Sequence, residues 1–147
     1  MAQAILALGA NIGDPTRQIT DAITAIAAHP AIKLVKASTV IVTPPWGKTD
    51  QNDFHNAAVS IETSLTPEAL LEACLTIEES LGRIRVEKWG PRLIDIDLIA
   101  YNHLELETET LTIPHPYAHE RDFVLVPVRE IAPDVAQWLV ERGQTKP

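Results

Sequence analysis

The chain has 147 residues, of which 46% are hydrophobic and 22% charged, and these proportions are typical of one globular domain with its own core. Its net charge of -8 argues against a general nucleic-acid binder, because such proteins present a basic face. A single cysteine excludes a disulfide framework, and no apolar run is long enough to span a bilayer. We therefore expect one domain, residues 1–147, in a reducing cytoplasm.

The first half of the chain predicts a strand, a helix and two more strands. Residues 4–8 form a short apolar strand and not a signal peptide, since no basic residue precedes them. Asp14 and Pro15 start a helix, because Asp is favoured at the N-cap and Pro at the first helical position, and Pro30 ends it. The β-branched residues 32–43 are predicted as one strand, and residues 54–62 as the next.

The second half predicts the elements that complete a sheet. Thr66 and Pro67 repeat the helix-start signal, and that helix reaches about Leu81 before Gly82 ends it. The remaining predicted elements are a strand at 94–101, a hairpin segment at 104–111 and a helix at 122–131 that Pro127 breaks into two parts. The order β-α-β-β-α-β with C-terminal additions predicts an α+β fold of the ferredoxin-like type, with a mostly antiparallel sheet and helices packed on it.

The segment that contains Asp95 and Asp97 has the strongest chemical signal. One residue separates the two aspartates within a predicted strand, so both carboxylates face the same side. Adjacent carboxylates repel each other unless a cation lies between them, and oxygen ligands of this kind suit Mg²⁺. Four cations that suit a polyphosphate lie just upstream: Arg83, Arg85, Lys88 and Arg92. The pattern indicates a magnesium-nucleotide site, although Asp-x-Asp alone also fits the solvated face of an edge strand.

Other polar residues have weaker signals. Glu78 falls on the apolar side of its predicted helix beside Cys74, so its carboxylate needs a partner, either Arg83 or a ligand. The thiol of Cys74 is interpreted as buried and structural, not as a nucleophile. His115 and His119 are four residues apart, but the flanking prolines argue against a helical zinc pair, and His115 is interpreted as a phosphate contact. No P-loop motif is present in the sequence.

Two segments have a specific pattern: Trp89-Gly90-Pro91-Arg92 followed by Asp95 and Asp97, and Thr43-Pro44-Pro45-Trp46-Gly47 followed by Gln51, Phe54 and Asn56. Through both segments the chain resembles the 6-hydroxymethyl-7,8-dihydropterin pyrophosphokinase family of the folate pathway. The resemblance covers nearly the whole chain. It implies transfer of a pyrophosphoryl group from ATP to the hydroxymethyl group of the reduced pterin, with AMP released and two Mg²⁺ ions used. We expect small-molecule partners only, with no nucleic acid and no membrane, and a monomer.

The resemblance also implies roles for the matching residues. Asp95 and Asp97 hold the metals and act in catalysis with Arg83 and Arg92, which lies with Trp89 on a mobile loop. The implied pterin contacts are Thr43, Pro44, Trp46, Phe54, Asn56, Trp89 and Phe123, with the two phenylalanines stacking on the ring. The implied nucleotide contacts are Glu78, Arg83, Arg85, Lys88, Trp89, Arg92, Leu98, Thr112, His115 and Arg121.

Three positions depart from the family pattern, and two other functions stay open. Ala10 stands where the family usually has Ser, Lys88 where Arg is common, and Thr110 where some members have Arg. Lys88 keeps the charge but lacks the planar fork that binds phosphate through two hydrogen bonds. The alternatives are a ferredoxin-like binding module without chemistry and a metal-dependent phosphohydrolase. The paired aspartates argue against the module, and no water-activating base is identified for the hydrolase.

Overall fold

The computed structural model of the protein describes residues 1–44, 53–83 and 94–145. Its helices and strands in chain order are β1 (Ala2–Ala10), α1 (Pro15–Ala28), β2 (Ile32–Ala37), β3 (Ile41–Thr43), β4 (Phe54–Thr63), α2 (Pro67–Glu78), β5 (Asp95–Tyr101), β6 (Leu106–Glu107), β7 (Thr112–Ile113), α3 (Asp122–Ile131) and α4 (Pro133–Thr145). A π-helical turn at Glu79–Arg83 extends α2, and a 3-10 turn at Ala118–Glu120 precedes α3.

The main sheet is antiparallel and has the order β2-β4-β1-β5, with β3 pairing to β4 beyond the end of β2. The chain passes from β1 through α1 to β2, and from β4 through α2 to β5, so each connection crosses one intervening strand. β6 and β7 form a separate hairpin. The predicted α+β class, an antiparallel sheet with helices packed on it, is confirmed.

Helices cover the sheet on both faces because side chains alternate along each strand. Leu6 and the other apolar residues that point to one face of the sheet are buried against α1 and α2. Ile5, its neighbour on β1, points to the opposite face and is buried against α3 and α4. The C-terminal helices therefore pack on the face opposite to α1 and α2, and form a third layer.

The predicted strand at 32–43 is wrong as one element, because it divides into β2 and β3. Ser38 still exchanges hydrogen bonds with β4: its N–H donates to the carbonyl oxygen of Ala58, and its Oγ accepts from the N–H of Ala58, both at 2.8 Å. Thr39 then turns away from the sheet, and its N–H and hydroxyl both donate to the carboxylate of Glu130 at 2.9 and 2.7 Å. A side chain of α3 thus accepts the hydrogen bonds of Thr39 at the break between the two strands.

The predicted break at Pro127 is also wrong, because α3 runs through it without interruption. Pro127 lies in the second turn, so its missing N–H removes only one helical hydrogen bond, and its ring is buried. The chain breaks instead at Ala132, which has φ −152°, before α4 starts at Pro133. The sequence reasoning did not predict α4. No helix within the described ranges is long and apolar enough to cross a membrane.

The local signals for the ends of α1 and α2 are confirmed. Asp14 Oδ1 accepts a hydrogen bond from Arg17 N–H at 3.2 Å, and Thr66 Oγ1 accepts one from Ala69 N–H at 3.2 Å. Gly82 lies in the turn that follows α2 and has φ 119°, a left-handed conformation that interrupts the helical geometry and that other residues rarely adopt.

Two valines test the assignment of the core. We expect Val59→Ala to lower the free energy of unfolding by about 2–3 kcal/mol, because it removes two methyl groups from a side chain that is 0% exposed. Val42→Ala removes the same groups from a side chain that is 55% exposed, and we expect a change of less than about 0.5 kcal/mol. Urea denaturation measures both, and equal losses would contradict the assignment.

Candidate active site

The two aspartates of β5 lie on one face of the sheet, as predicted. Asp95 and Asp97 are exposed, whereas Ile96 and Leu98 are buried against α1 and α2 on the other face. The alternation follows from the two-residue period of a strand. The carboxylates consequently lie on the face that α3 and α4 cover in part.

A row of small residues connects the aspartates to the strand beyond. Directly opposed residues of antiparallel strands share a face, and Asp95 lies opposite Gly9, while Asp97 lies opposite Ala7. Gly9 lies in turn opposite Asn56 on β4. Two strand spacings, roughly 10 Å, therefore separate the backbones of Asp95 and Asp97 from β4. Because the middle strand contributes only Gly9 and Ala7, it leaves a trough between them.

Asn56 forms the far wall of this trough. Its side chain is 7% exposed, and its Nδ2 donates to Oγ1 of Thr43 at 3.3 Å. A Cβ atom added at Gly9 would lie 3.2 Å from Oδ1 of Asn56, which is tighter than an ordinary contact. Phe54 and Thr43 are paired at the end of the same β4 and β3 ladder. The amide is therefore held in place with its oxygen toward the trough.

Glu78 meets the aspartate strand from the side. Its carboxylate is 2% exposed, and Oε2 accepts a hydrogen bond at 2.7 Å from the N–H of Ile96, the residue between the two aspartates. The predicted buried carboxylate is confirmed, and one of its partners is this backbone amide. The alternative partner, the side chain of Arg83, lies outside the described part of the chain.

A β-bulge in β5 positions the segment that contains His115. The pairing of β5 with β1 shifts where Leu6 faces Leu98 and Ile5 faces Ala100, so Ile99 is an extra residue. The carbonyl oxygen of Ile99 accepts a hydrogen bond from the N–H of His115 at 2.9 Å. His115 is thereby fixed beside the strand of the aspartates.

A cavity of about 230 Å³ lies next to Asp97. It is lined by four residues of the predicted site and by five neighbours: Asp97, Leu98, Thr112 and His115, with Leu71, Ile96, Thr110, Leu111 and Pro116. A larger cavity of about 530 Å³ lies near the start of β1, and no predicted site residue lines it. We place the nucleotide part of the site at the smaller cavity, because Asp97 and His115, two residues of the predicted site, line it.

The charge state of His115 depends on burial and on two charged neighbours. Burial lowers its pKa, Asp97 raises it, and Arg121 lowers it, with the net shift downward from 6.5. Nδ1 of His115 accepts a hydrogen bond from the N–H of Tyr117 at 3.3 Å. The neutral ring therefore carries its hydrogen on Nε2.

Arg121 and Phe123 meet at the start of α3. The guanidinium carbon of Arg121 lies 5.5 Å from the ring centre of Tyr117 and 5.7 Å from that of Phe123. Contact with two aromatic rings orients the guanidinium without neutralising it. Phe123 packs against the core under α3, on the sheet face that also carries Asn56.

Several predicted site residues cannot be placed. Trp46, Arg85, Lys88, Trp89 and Arg92 lie outside the described residues, as does the side chain of Arg83. Pro44 is described and exposed. The mapped site thus combines residues from β3, β4, β5, β7 and the start of α3, without the cationic segment.

The donor set of the mapped site fits a hard cation. Asp95 and Asp97 offer exposed carboxylate oxygens on neighbouring positions of one face, which suits Mg²⁺ with water and phosphate completing its shell. Within residues 1–44, 53–83 and 94–145, no group of three or more His, Cys, Asp or Glu side chains is arranged to hold a metal. Cys74 is not a candidate ligand, because burial, Glu78 and Asp97 raise its pKa to about 12, which confirms an inert buried thiol.

Sequence reasoning missed the two small residues of the trough and the aromatic partner Tyr117. A signal for the trough was present, because Ala7 and Gly9 alternate with the large apolar Leu6 and Leu8. Only the strand register shows that their missing side chains lie between Asn56 and Asp95.

Comparison with known proteins gives consistent matches. A family model described as 7,8-dihydro-6-hydroxymethylpterin-pyrophosphokinase (HPPK) matches residues 5–133. The chain is 53% identical over 145 residues to the 2-amino-4-hydroxy-6-hydroxymethyldihydropteridine pyrophosphokinase of Methylorubrum extorquens, covering 99% of this chain and 89% of that one. It is 45% identical over 132 residues to the protein of the same name from Bacillus subtilis, covering 90% and 79%.

A solved structure agrees on the fold. The crystal structure of Plasmodium falciparum HPPK-DHPS matches with a TM-score of 0.68 and 17% identity, over 97% of this chain and 43% of that chain. This chain thus spans less than half of the solved one. At this identity the likeness concerns the fold alone.

The lowered pKa of His115 gives a pH prediction for the metal-free protein. An unfolded His titrates near 6.5, and the folded protein favours the neutral ring. The stabilisation is therefore full above pH 6.5 and is lost as the pH falls below it, because the unfolded chain takes up the proton first. We expect NMR titration to give His115 a pKa below 6.5, and His115→Gln to weaken the loss of stability between pH 7.5 and 5.5. A titration at or above 6.5 would contradict this.

Proposed function

Because the chain belongs to the 7,8-dihydro-6-hydroxymethylpterin-pyrophosphokinase family, we propose that it transfers a pyrophosphoryl group from ATP to the hydroxymethyl group of 6-hydroxymethyl-7,8-dihydropterin. The hydroxyl oxygen bonds to the β-phosphorus of ATP, the bond from that phosphorus to the α-phosphate oxygen breaks, and the hydroxyl proton is released. The products are AMP and the pterin diphosphate used in folate biosynthesis. ATP is a co-substrate and is consumed.

The observation that carries this proposal is the sheet face shared by Asp95, Gly9 and Asn56. It provides an acidic side for metal and phosphate, an amide side for a heterocycle, and a floor without side chains between them. Reaction of two bound substrates needs this proximity, because correct positioning converts an encounter in solution into a step within one complex.

We propose that Asp95 and Asp97 hold two Mg²⁺ ions. Magnesium bound there neutralises phosphate charge and orients the polyphosphate. The residues fit this role because both carboxylates are exposed on one face, and because a bound cation relieves their mutual repulsion.

The nucleotide side is assigned to the cavity beside Asp97. Leu98 and Thr112 line it, and His115 presents Nε2–H as a donor in its neutral form. Arg121 supplies a permanent positive charge, held by Tyr117 and Phe123. The cations at 83, 85, 88 and 92, with Trp89, are part of the same proposal through the family resemblance.

The pterin side is assigned to the residues around Asn56. Its amide both donates and accepts hydrogen bonds, as does the aminopyrimidinone edge of a pterin. The bond from Nδ2 to Thr43 fixes the amide, which reduces the entropy lost on binding. Phe54 and Phe123 are assigned as the stacking pair, with Pro44, Trp46 and Trp89 completing the contact by resemblance.

Three broader assignments belong to the same proposal. The strand order β2-β4-β1-β5, with α1 and α2 as crossover helices, supports the ferredoxin-like β-α-β-β-α-β topology. The single buried thiol is consistent with a reducing cytoplasm. We further propose that the protein is a monomeric one-domain enzyme, which light scattering tests directly.

The nucleotide product tests the function. The protein is mixed with Mg-ATP and 6-hydroxymethyl-7,8-dihydropterin, and the nucleotides are separated by chromatography. We expect AMP to form only when the pterin is present. Formation of ADP would contradict pyrophosphoryl transfer, phosphate release without pterin would indicate a hydrolase, and binding without turnover would indicate a module without chemistry.

The metal assignment is tested by Asp97→Asn, which removes a charge with little change in shape. Loss of a residue that is hydrogen-bonded to a metal ligand typically lowers metal affinity or activity by about 10–100-fold. We therefore expect loss of the ligand itself to lower kcat by at least about 100-fold. The control is Asp21→Asn, an exposed aspartate on α1. Near-normal turnover by the Asp97 variant would contradict the assignment.

The trough is tested by Gly9→Ala. The added Cβ would lie 3.2 Å from Oδ1 of Asn56 and would occupy the floor, so we expect the KM for the pterin to rise by roughly 10-fold or more. The KM for ATP should change little, because the cavity beside Asp97 does not include Gly9. Steady-state kinetics measures both, and an unchanged pterin KM in a folded variant would contradict a floor at Gly9.

A further inference from the structure

We infer that Glu78 is a positioning residue that fixes the spacing of the two aspartates by holding the backbone between them, and that it does not contact the nucleotide itself. The inference rests on the proposed function, since it assumes that Asp95 and Asp97 bind metal. It assigns a role to a carboxylate that lies behind the exposed face of β5.

The hydrogen bond of Glu78 occurs at the outer edge of β5. Among the residues that the structure describes, β5 pairs with β1 on one side and is the last strand of the main sheet. Its outer N–H groups therefore need partners from outside the sheet. The N–H of Ile96 donates to Oε2 of Glu78 at 2.7 Å, at the short end of the range for N–H···O hydrogen bonds.

The location of the bond determines what it controls. Ile96 is the only residue between Asp95 and Asp97, and its side chain is buried among α1 and α2. With its amide held by Glu78 and its side chain held by the core, the backbone of Ile96 is fixed, and so is the peptide plane that joins it to Asp95. The directions of the Cα–Cβ bonds of the two aspartates relative to each other depend on the backbone of this intervening residue.

Burial argues against direct nucleotide contact. Glu78 is 2% exposed, and it is not among the described residues that line the cavity assigned to the nucleotide. A buried carboxylate is costly and needs strong compensation from hydrogen bonds. The side chain is therefore placed to act on the strand and not on a molecule that arrives from solvent.

Two variants separate position from charge. Glu78→Gln keeps the length of the side chain and an oxygen acceptor but removes the charge, whereas Glu78→Asp keeps the charge but is too short by one methylene. We expect Glu78→Asp to speed hydrogen exchange at the Ile96 amide by roughly 10-fold, the equivalent of one lost hydrogen bond. We expect Glu78→Gln to stay near the wild type. Exchange is measured by NMR on the metal-free protein.

Metal affinity is then measured by titrating Mn²⁺, followed by electron paramagnetic resonance, with a non-hydrolysable ATP analogue present. We expect Glu78→Asp to weaken Mn²⁺ binding on the order of 10- to 100-fold, and Glu78→Gln to restore it. The matched control is Glu72→Asp, an exposed glutamate on the same helix, which should behave as wild type.

Each outcome supports or overturns the inference. A folded Glu78→Asp variant that binds Mn²⁺ like the wild type would show a purely structural role. If Glu78→Asp does not fold, Glu78→Gln alone decides. A wild-type exchange rate at the Ile96 amide together with weakened Mn²⁺ binding would show that the charge of Glu78 matters and that its position does not. A wild-type exchange rate together with wild-type Mn²⁺ affinity supports the positioning role. Wild-type protein that binds Mn²⁺ but yields no AMP would overturn the proposed function and leave the positioning result intact.

Discussion

The proposed site depends on two carboxylates that the backbone holds on one face of β5. Asp95 and Asp97 keep this arrangement because Ile96 between them is buried in the core on the other side of the sheet. Like charges at such positions favour divalent cations, and we propose that these bind there together with phosphate oxygens. This links the packing of the core to the chemistry proposed for a pyrophosphokinase.

The opposite side of the trough is formed by Asn56, on another strand of the same sheet. Asn56 is a buried amide, and one of the two N–H groups of its Nδ2 already donates to Thr43, so it would bind the edge of the proposed pterin without first rearranging. Because Gly9 and Ala7 contribute almost no side-chain volume, they leave space across β1, where we propose that the two substrates lie next to each other. The strand register, and not any single residue, places the carboxylates of β5 and the amide of Asn56 on opposite sides of the same trough.

The sequence predicted those features that depend on neighbours in the chain. The caps at Asp14 and Thr66, the alternation around Ile96 and the burial of Glu78 all follow from local periods and start signals. The break after Ser38 was missed because it depends on Glu130, which is 91 residues from Thr39 in the sequence. The trough was missed for the same reason, since it arises only when three strands are placed side by side. The functional residues were reached through the family motif, whose cationic segment lies outside the described residues.

The bulge at Ile99 has a wider consequence. The carbonyl oxygen of Ile99 accepts the hydrogen bond from the N–H of His115, and Asp97 lies two residues earlier on the same strand. Two residues that line the cavity, Asp97 and His115, are therefore attached to one short stretch of backbone. We therefore expect His115 and Asp97 to keep their relative positions when the sheet bends. A triphosphate bound as proposed would then keep its contacts with both residues during such motion, and the coupling depends on a single extra residue in β5.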